Sequence, residues 1–282
     1  MKFQEFLPDH SLRQYVYHYA ILSNDVKTGE EIAEQTPPNL YKGLFFYYRK
    51  KSPVTIVNSV FDNDLPRSFL AAHCSRSQKW MYSDPFSVFG IMFKPGKLRY
   101  FLRFSLLEFI DRPIALSDIG DKGLLELEER IFESESLAER INAANDFLSN
   151  RLRVINRQPD LVDWALSQLF ASPGKHIKDL PLEIRISDRH FRRIFEREMG
   201  VGPKAWQKQA RFTQALHMIQ SPFFTNLSKV AHACGYYEQS QFISDFKGFM
   251  LCTPGEFIRK SFPIAKLVGW REEVVDGREF EM

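Results

Sequence analysis

Apolar positions at helical spacing occur in two similar copies between residues 177 and 260. The copies are offset by about 51 residues, and most of the paired positions are aromatic. In each copy an apolar stretch, a turn and a helix with two phenylalanines four residues apart follow one another. The pattern therefore predicts two small helix-turn-helix units. The recurring pairs are Phe191 and Phe242, Phe195 and Phe246, Pro203 and Pro254, and Trp206 and Phe257.

The second helix of the first unit is rich in arginine on the face opposite its phenylalanines. Ser187 is suited to cap this helix, and Asp188 complements the helix dipole. Like charges on one helix repel by a few tenths of a kcal/mol per pair, so a polyanionic partner explains this face better than solvent does. A solvated, arginine-rich helix is the alternative for one unit alone, but the duplication favours DNA. The arginines are Arg189, Arg192, Arg193 and Arg197.

The second unit repeats the scaffold with a nearly neutral outer face. Asn226 is predicted to cap its first helix, Gly235 to supply the turn, and Glu238 to open the second helix. That helix has no arginine, and Asp245 would face phosphates unfavourably. We therefore expect it to contribute less electrostatic affinity than the first unit. Its outward residues are Gln239, Ser240, Ile243 and Ser244, with Lys247 at the far end.

The order and spacing of these residues resemble the AraC/XylS family of bacterial transcription regulators. The resemblance covers roughly residues 175 to 260. It implies two helix-turn-helix units joined by a long helix that begins near Pro203 and ends before Ser221, with both recognition helices in successive major grooves of duplex DNA. The residues that carry it include the stretches Ser187 to Phe195, Gly200 to Pro203, Gly235 to Tyr236, Gln239 to Phe242 and Thr253 to Pro254.

The resemblance also implies roles for individual residues. Base reading falls on Arg189, Arg192 and Arg193 in the first unit and on Gln239, Ser240, Ile243 and Ser244 in the second. Phosphate contacts are expected from Arg197, Lys204, Lys208 and Lys247.

Four positions depart from the family pattern: Pro181, Arg185, Tyr237 and Leu251. Arg185 and Leu251 stand where a turn glycine is expected, and Tyr237 stands where a capping residue is usual. A proline inside a helix can cost roughly 3 kcal/mol, so the first helix of unit one is expected to be short, kinked or late in starting.

The charge distribution supports the DNA assignment. Residues 175–260 contain 14 Lys and Arg against 8 Asp and Glu, whereas the rest of the chain contains 24 against 27. The positive charge is thus concentrated where DNA is expected to bind. Binding should weaken with salt by roughly 0.9 log units per log unit of salt for each phosphate contact.

The first 96 residues change to short β-type runs. Six of them are β-branched or aromatic and separated by Pro, Asn, Asp, Gly or Ser clusters, which predicts a barrel or sandwich. By resemblance this is a cupin-like sensory domain, so the expected fold class is α+β. The predicted strands are Val16–Leu22, Leu44–Tyr48, Val54–Val60, Ser68–Ala72, Gln78–Tyr82 and Ser87–Phe93.

Helical patterns follow from residue 97. The expected regions are a β-rich sensory domain over 1–96, a helical connector with a dimer contact over 97–172, a double helix-turn-helix domain over 173–262 and a tail over 263–282. A stripe in the connector is either a homodimer seam or, more simply, a core face. Its residues are Leu137, Ile141, Ala144, Leu148 and Leu152, which run along the third of four predicted helices and one residue beyond it. The four helices are predicted at 97–104, 124–133, 137–151 and 161–170.

Composition restricts the remaining classes. No apolar run approaches the ~18 residues of a membrane span, and the amino terminus lacks a signal-type apolar region, so a cytoplasmic protein is expected. Three cysteines fit a reducing compartment, with Cys234 interpreted as core. Double-stranded DNA, a small-molecule effector and RNA polymerase are the candidate partners. Aromatic residues that could line an effector pocket are Tyr17, Tyr19, Tyr47, Trp80 and Tyr82, with Arg67 or Arg76 available for an anion.

Three alternatives stay open beside the regulator. A cupin-type metalloenzyme needs a His-x-His constellation, but His10, His18 and His73 are scattered. A DNA-repair methyltransferase needs an activated cysteine, which the neighbours of Cys74 do not supply. A protein-binding adaptor would use the helical units without DNA, and the arginine face argues against it. No cofactor, metal or catalytic residue is therefore predicted.

Overall fold

The chain folds into a β-rich N-terminal half and a mostly helical C-terminal half, which is the α+β class expected. No helix within the described part of the chain combines the length and apolar character that a membrane span requires. A computed structural model describes residues 2–24, 32–38, 40–48, 54–57, 63–71, 73–82, 85–103, 106, 110–260 and 278–281.

Seven of the strands described form one antiparallel sheet, in the order β10-β7-β4-β9-β2-β1-β11. Alternation along β4 decides its two faces: Leu44 and Phe46 pack toward the connector helices, while Phe45 and Tyr47 face a second sheet. The strands are β1 (Lys2–Phe6), β2 (Val16–Asn24), β4 (Lys42–Tyr47), β7 (Ser68–Ala71), β9 (Phe86–Phe93), β10 (Pro113–Ala115) and β11 (Arg278–Glu281).

The second sheet has four described strands in the order β3-β8-β5-β6. Tyr82 of this sheet stacks on Phe86 of the first, with ring centroids 5.0 Å apart. The two sheets therefore form a sandwich with an aromatic interior. The strands are β3 (Ile32–Thr36), β5 (Val54–Val57), β6 (Asn63–Asp64) and β8 (Gln78–Tyr82).

Each of the six predicted strands corresponds to a strand of the sandwich, although residues 58–60 and 72 lie outside the described part of the chain. Four strands of three residues or more were not predicted: β1, β3, β10 and β11. The last two matter for the organisation of the chain. Strand β10 pairs with β7 and β11 pairs with β1, so the sheet continues beyond residue 96 and includes the end of the tail.

Four connector helices follow, and the predicted helix at 97–104 is wrong. Only Leu98–Tyr100 form a single 3-10 turn there, because Arg99 is drawn into an ion-pair network. Ser136 caps α3 through the backbone N–H of Glu139, and Asp160 caps α4. The helices are α1 (Leu116–Ile119), α2 (Lys122–Glu133), α3 (Leu137–Ile155) and α4 (Leu161–Ala171).

The predicted connector stripe lies in the core of this chain. Ala144 and Leu148 are completely buried against the outer face of the larger sheet, and the other three residues pack at the margin of the same cluster. This is the simpler of the two interpretations made from the sequence, because the stripe is covered by the chain itself.

The C-terminal half contains six helices in its described residues. Asn226 caps α8 through Lys229 N–H, and α7 begins at Pro203 as predicted. The helices are α5 (Asp179–Glu183), α6 (Asp188–Met199), α7 (Pro203–Gln220), α8 (Leu227–Ala233), α9 (Gln239–Met250) and α10 (Pro254–Arg259).

A buried lysine at the start of β4 makes stability depend on pH. Burial lowers the pKa of the Lys42 amine to about 8, against the opposing influence of Cys74 and Asp111. The folded chain therefore binds this proton less readily than the unfolded chain does. The resulting destabilisation is complete below pH 8 and disappears as pH rises through the ordinary lysine pKa of about 10.4.

We predict that Lys42→Met stabilises the fold at pH 7 by about 1–3 kcal/mol, because it removes a buried charge. The gain should shrink at pH 10. Urea unfolding at both pH values measures it, with Lys79→Met on the exposed side of β8 as the matched control. A loss of stability at pH 7, or a gain independent of pH, would contradict this assignment.

Candidate nucleic-acid interface

The two helix-turn-helix units have separate cores that share helix α7. The first half of α7 places Trp206 in the first core, with Phe191 and Phe195 of α6. The second half packs Phe212 and Leu216 in the second core, with Phe242 and Phe246 of α9. The aromatic positions that repeat in the sequence are therefore the centres of two equivalent packing units.

Helix α6 presents three arginines to solvent in one row. Arg189, Arg193 and Arg197 are exposed and lie four residues apart, so they share a face opposite the buried phenylalanines. Ser187 caps the helix through His190 N–H at 3.2 Å. The N-terminus of α6 is the end expected to enter a groove. It therefore carries the Ser187 side-chain cap and the Arg189 guanidinium.

Arg192 has a different environment from its neighbours. Its side chain is half-buried, and its Nε donates to Asp188 Oδ2 at 2.7 Å, one helical turn earlier. Contact with a base would require this pair to open. Arg193 lies 3.2 Å from His190 Nδ1 and has no such restraint from a carboxylate.

The outer face of α9 is polar and uncharged at its N-terminal end. Gln239, Ser240 and Ser244 are exposed and Ile243 is half-buried. Ser240 Oγ donates to Glu238 Oε2 at 3.0 Å, so this hydroxyl is already engaged. Tyr237, just before the helix, is 95% exposed, which gives the groove-facing end an aromatic side chain that the sequence reasoning left without a role.

Of the four candidate phosphate contacts, one is paired with Asp245 and three are exposed. The Asp245 carboxylate forms an ion pair with Lys208 Nζ at 2.9 Å. This pair joins α9 to α7. This pair neutralises the carboxylate that the sequence marked as unfavourable for DNA, and it also engages Lys208. The other three candidates, Arg197, Lys204 and Lys247, are exposed.

Three of the four departures from the family pattern have clear consequences for the backbone. Pro181 lies in the first turn of the five-residue α5, where its missing N–H has no helical partner to lose, so the helix is short as predicted. Arg185 and Leu251 adopt left-handed backbone conformations with φ of 55° and 60°. Both turns therefore keep the geometry that glycine favours although neither residue is glycine.

The N-terminal half holds the C-terminal end of α6 through a buried ion-pair network. Arg99, whose side chain is 5% exposed, lies 2.6 Å from Asp160 Oδ2, contacts Asp163 and is 3.7 Å from Glu198 of α6. Arg157 bridges the same set, at 2.8 Å from Asp160 and 2.5 Å from Glu198. The network connects the end of the β-rich half, α4 and the first recognition helix.

This network depends on ionised carboxylates. Burial by itself raises the pKa of Asp160, but hydrogen bonds from Arg99 and Arg157 outweigh it and hold that pKa well below its usual range. A carboxylate with a depressed pKa stabilises the fold above its unfolded pKa of about 3.9, and this contribution is lost as pH falls further. At neutral pH the network is therefore intact.

The sandwich holds the C-terminal end of α9 through hydrogen bonds to two backbone carbonyls of that helix. Ser77 N–H donates to Phe249 O at 2.7 Å, and Gln35 Nε2 donates to Met250 O at 2.5 Å. These bonds satisfy carbonyls in the last turn of the helix, which has no internal partners for them. Both recognition helices are thus restrained at their C-terminal ends, opposite the N-terminal ends that are expected to enter the grooves.

A cavity of about 150 Å³ lies between the two sheets. Four of the five aromatic residues proposed from the sequence line it; the fifth, Tyr19, points to the other face and donates to Asn145 Oδ1 at 2.6 Å. Arg67 and Arg76 are outside its lining. The aromatic and polar side chains that surround it include Tyr17, Tyr47, Trp80, Tyr82, Thr36, Gln78 and Cys74.

Two polar atoms of the cavity lining are buried without a hydrogen-bond partner, Trp80 Nε1 and Thr36 Oγ1. Because buried polar groups are ordinarily paired, these two atoms mark where a guest molecule would supply an acceptor. Burial raises the pKa of Cys74 to about 11, so this thiol is protonated at neutral pH. Within the described residues, no group of three potential metal ligands is found.

Comparison with known proteins gives two family matches in the chain. Residues 182–260 match a family described as a helix-turn-helix domain, which includes both units. Residues 4–115 match a domain of unknown function, DUF6597, which ends at β10. A search of curated proteins finds no match to the chain.

Solved structures similar to the chain include proteins from Vibrio cholerae and Escherichia coli. One is ToxT from Vibrio cholerae, with a TM-score of 0.49, 11% identity, and coverage of 86% of this chain and 98% of that one. A second structure, of unsaturated fatty acid bound wild-type ToxT from Vibrio cholerae strain SCE256, has a TM-score of 0.44 at 15% identity and covers 85% of this chain and 94% of that one. A DNA-binding transcriptional dual regulator from Escherichia coli K-12 has a TM-score of 0.32 at 23% identity, covering 37% of this chain and all of that one.

We predict that Leu251→Gly stabilises the fold by about 1 kcal/mol. Leu251 is 60% exposed and loses little packing, while glycine removes the left-handed strain, estimated at about 1–2 kcal/mol, at some entropic cost in the unfolded chain. Urea unfolding measures the effect. Leu182→Gly, at an exposed position of α5 without positive φ, is the control and should destabilise. If both changes destabilise equally, backbone strain at Leu251 is absent.

Proposed function

We propose that the chain is a DNA-binding transcription regulator with an AraC-type helix-turn-helix domain at its C-terminal end, and that its two units divide DNA recognition unequally. Helix α6 supplies most of the affinity and reads bases through Arg189 and Arg193. Helix α9 adds polar contacts through Gln239, Ser240 and Ser244 and fixes the register.

The exposed arginine row of α6 is the observation that supports this proposal. Three guanidiniums on one face attract the phosphate backbone, and a guanidinium at the helix N-terminus is suited to guanine. On α9 the only cation among the proposed contacts is Lys247, near the far end, and Lys208 of the neighbouring α7 is paired with Asp245. Arg192 has a secondary role here, since base contact would break its pair with Asp188.

We predict that Arg193→Ala and Arg189→Ala weaken specific binding more than Gln239→Ala or Ser244→Ala. Genomic footprinting of the tagged protein identifies sites, and fluorescence anisotropy on those duplexes at several salt concentrations gives affinities. A lost base contact should cost about 1–3 kcal/mol, and a lost phosphate contact should reduce the salt slope by about one.

Arg153→Ala, at an exposed position of α3, is the charge-matched control. If the α6 variants bind all DNA sequences more weakly by the same factor, Arg189 and Arg193 hold phosphates and do not read bases. Unchanged occupancy in both α6 variants would overturn the proposed reading face.

We further propose that the cavity between the sheets binds a small neutral effector. Its described lining contains no Asp, Glu, Lys or Arg, and its volume is close to one that holds a single aromatic ring. An aromatic compound with a carbonyl or similar acceptor fits these properties, because Trp80 Nε1 and Thr36 Oγ1 both lack partners. An anionic effector is disfavoured, since burying an unpaired charge there would be costly.

The effector assignment predicts binding of 4-fluoroacetophenone, followed by ¹⁹F NMR, with weaker binding to Trp80→Phe. Loss of one neutral hydrogen bond should reduce affinity by roughly 2–10-fold. Trp164→Phe, in α4 and outside the cavity, is the matched control. Ala71→Leu should exclude the probe by filling space. Equal binding to the wild type and Ala71→Leu would place the probe elsewhere.

Regulation requires the effector to favour one arrangement of the two halves over another, because equal affinity for both shifts nothing. Homodimerisation and contact with RNA polymerase stay predictions. Since the connector stripe is covered within the chain, a dimer would use other surfaces, such as the exposed Val154 side of α3. An alkyl-accepting function at Cys74 is disfavoured, because the raised pKa of its thiol opposes formation of the nucleophilic thiolate.

A further inference from the structure

A second basic surface lies at the edge of the helix-turn-helix domain, at the junction of the β-rich half, α3 and α6. It is a cleft of about 530 Å³ with an apolar floor and a charged rim. The rim contains four arginines and a single carboxylate among the described residues, Glu198. The arginines are Arg99, Arg103, Arg157 and Arg197.

The charges of this rim are unequally compensated. Arg99 is committed to Asp160 and Asp163 beneath the cleft, and Glu198 is shared by Arg157 at 2.5 Å and Arg197 at 3.1 Å. Counting Lys97 as well, which pairs with Asp163, five cations surround three carboxylates. Among the described residues, the cleft therefore keeps an excess of positive charge.

Arg103 carries the clearest part of this excess. It is exposed, and its Nη2 donates at 3.4 Å to the backbone carbonyl of Ile155 at the end of α3. No carboxylate among the described residues lies within ion-pair distance of it. A guanidinium held by one neutral carbonyl keeps several N–H donors for an incoming anion.

The cleft is continuous with the arginine row of α6. Arg197 belongs to both: it lines the cleft, and it lies four residues after Arg193 and eight after Arg189 on the same face. At 1.5 Å per residue, the row extends about 12 Å from Arg189 to Arg197. A strip of positive charge thus leads from the first recognition helix to the connector.

We infer that this cleft binds phosphate groups of DNA that flanks the helix-turn-helix site, with Arg103, Arg157 and Arg197 as the contacting residues. This inference depends on the proposed function, because it assumes a duplex already held by α6. Duplex DNA is a continuous line of negative charge, so a basic strip that extends the reading face meets the phosphates next to the bound site. A free phosphate-containing anion offers the same chemistry, and the experiment distinguishes the two sources.

The test compares the full chain with Arg103→Gln on two duplexes that contain the same footprinted site. One duplex is trimmed to the segment protected by both recognition helices, and the other carries ten further base pairs on each side. Arg103→Gln should weaken binding to the long duplex by about 3–10-fold and lower its salt slope by about one, with no change on the trimmed duplex. Arg103→Lys, which keeps the charge, should retain the wild-type salt slope.

Two control variants and a measurement with a free anion make the result decisive. Arg153→Gln on α3 should leave binding to both duplexes unchanged, and Arg193→Ala should weaken binding to both if the proposed function is right. If Arg193→Ala weakens both duplexes but Arg103→Gln weakens neither, the inference is wrong while the proposed function stands. If Arg103→Gln abolishes binding of inorganic pyrophosphate, measured by ³¹P NMR, without affecting the long duplex, the cleft binds a free anion and the assignment to DNA is overturned.

Discussion

The position of the first recognition helix depends on a buried guanidinium. Arg99 is almost inaccessible to water and is surrounded by Asp160, Asp163 and, at longer range, Glu198. Removing one partner from a buried ionic network typically costs about 3–5 kcal/mol, because an unpaired charge remains in a poorly solvating environment. The β-rich half, α4 and α6 are therefore mutually constrained: moving α6 away would expose Glu198 to a different environment and leave Arg157 without its shortest contact.

The second recognition helix is restrained by a weaker kind of interaction. Two neutral hydrogen bonds, from Ser77 N–H and Gln35 Nε2, reach the last carbonyls of α9. Each contributes on the order of 1 kcal/mol, well below the ionic network. Since Gln35 lies in β3 and Trp80 in β8, the sheet that lines the cavity also supplies these contacts.

Local patterns in the sequence were sufficient to predict the helical half but insufficient for the contacts between halves. The phenylalanine and proline repeats, Ser187 and Asn226 act over three or four residues, so periodicity and capping rules identify them. Arg99 and Glu198 are distant in sequence, and nothing near either residue indicates the other. The short strand β10 has the same difficulty, because its pairing with β7 stabilises it more than its own three residues do. The DNA-facing residues stay predictions, although their exposure could be anticipated from the helix period.

The asymmetry between the two units follows from what surrounds each. The second core is complete within its own helices, whereas the first is closed by α4 and by Leu40 of the sandwich. A five-residue α5 with Pro181 buries too little apolar surface to support α6 alone, so α4 supplies the missing surface through Val162, Leu166 and Leu169. The departures at Pro181 and Arg185 are tolerated for this reason. Their consequence is that the arginine-rich unit cannot be separated from the connector without losing part of its core, which ties the stronger DNA-binding face to the rest of the chain.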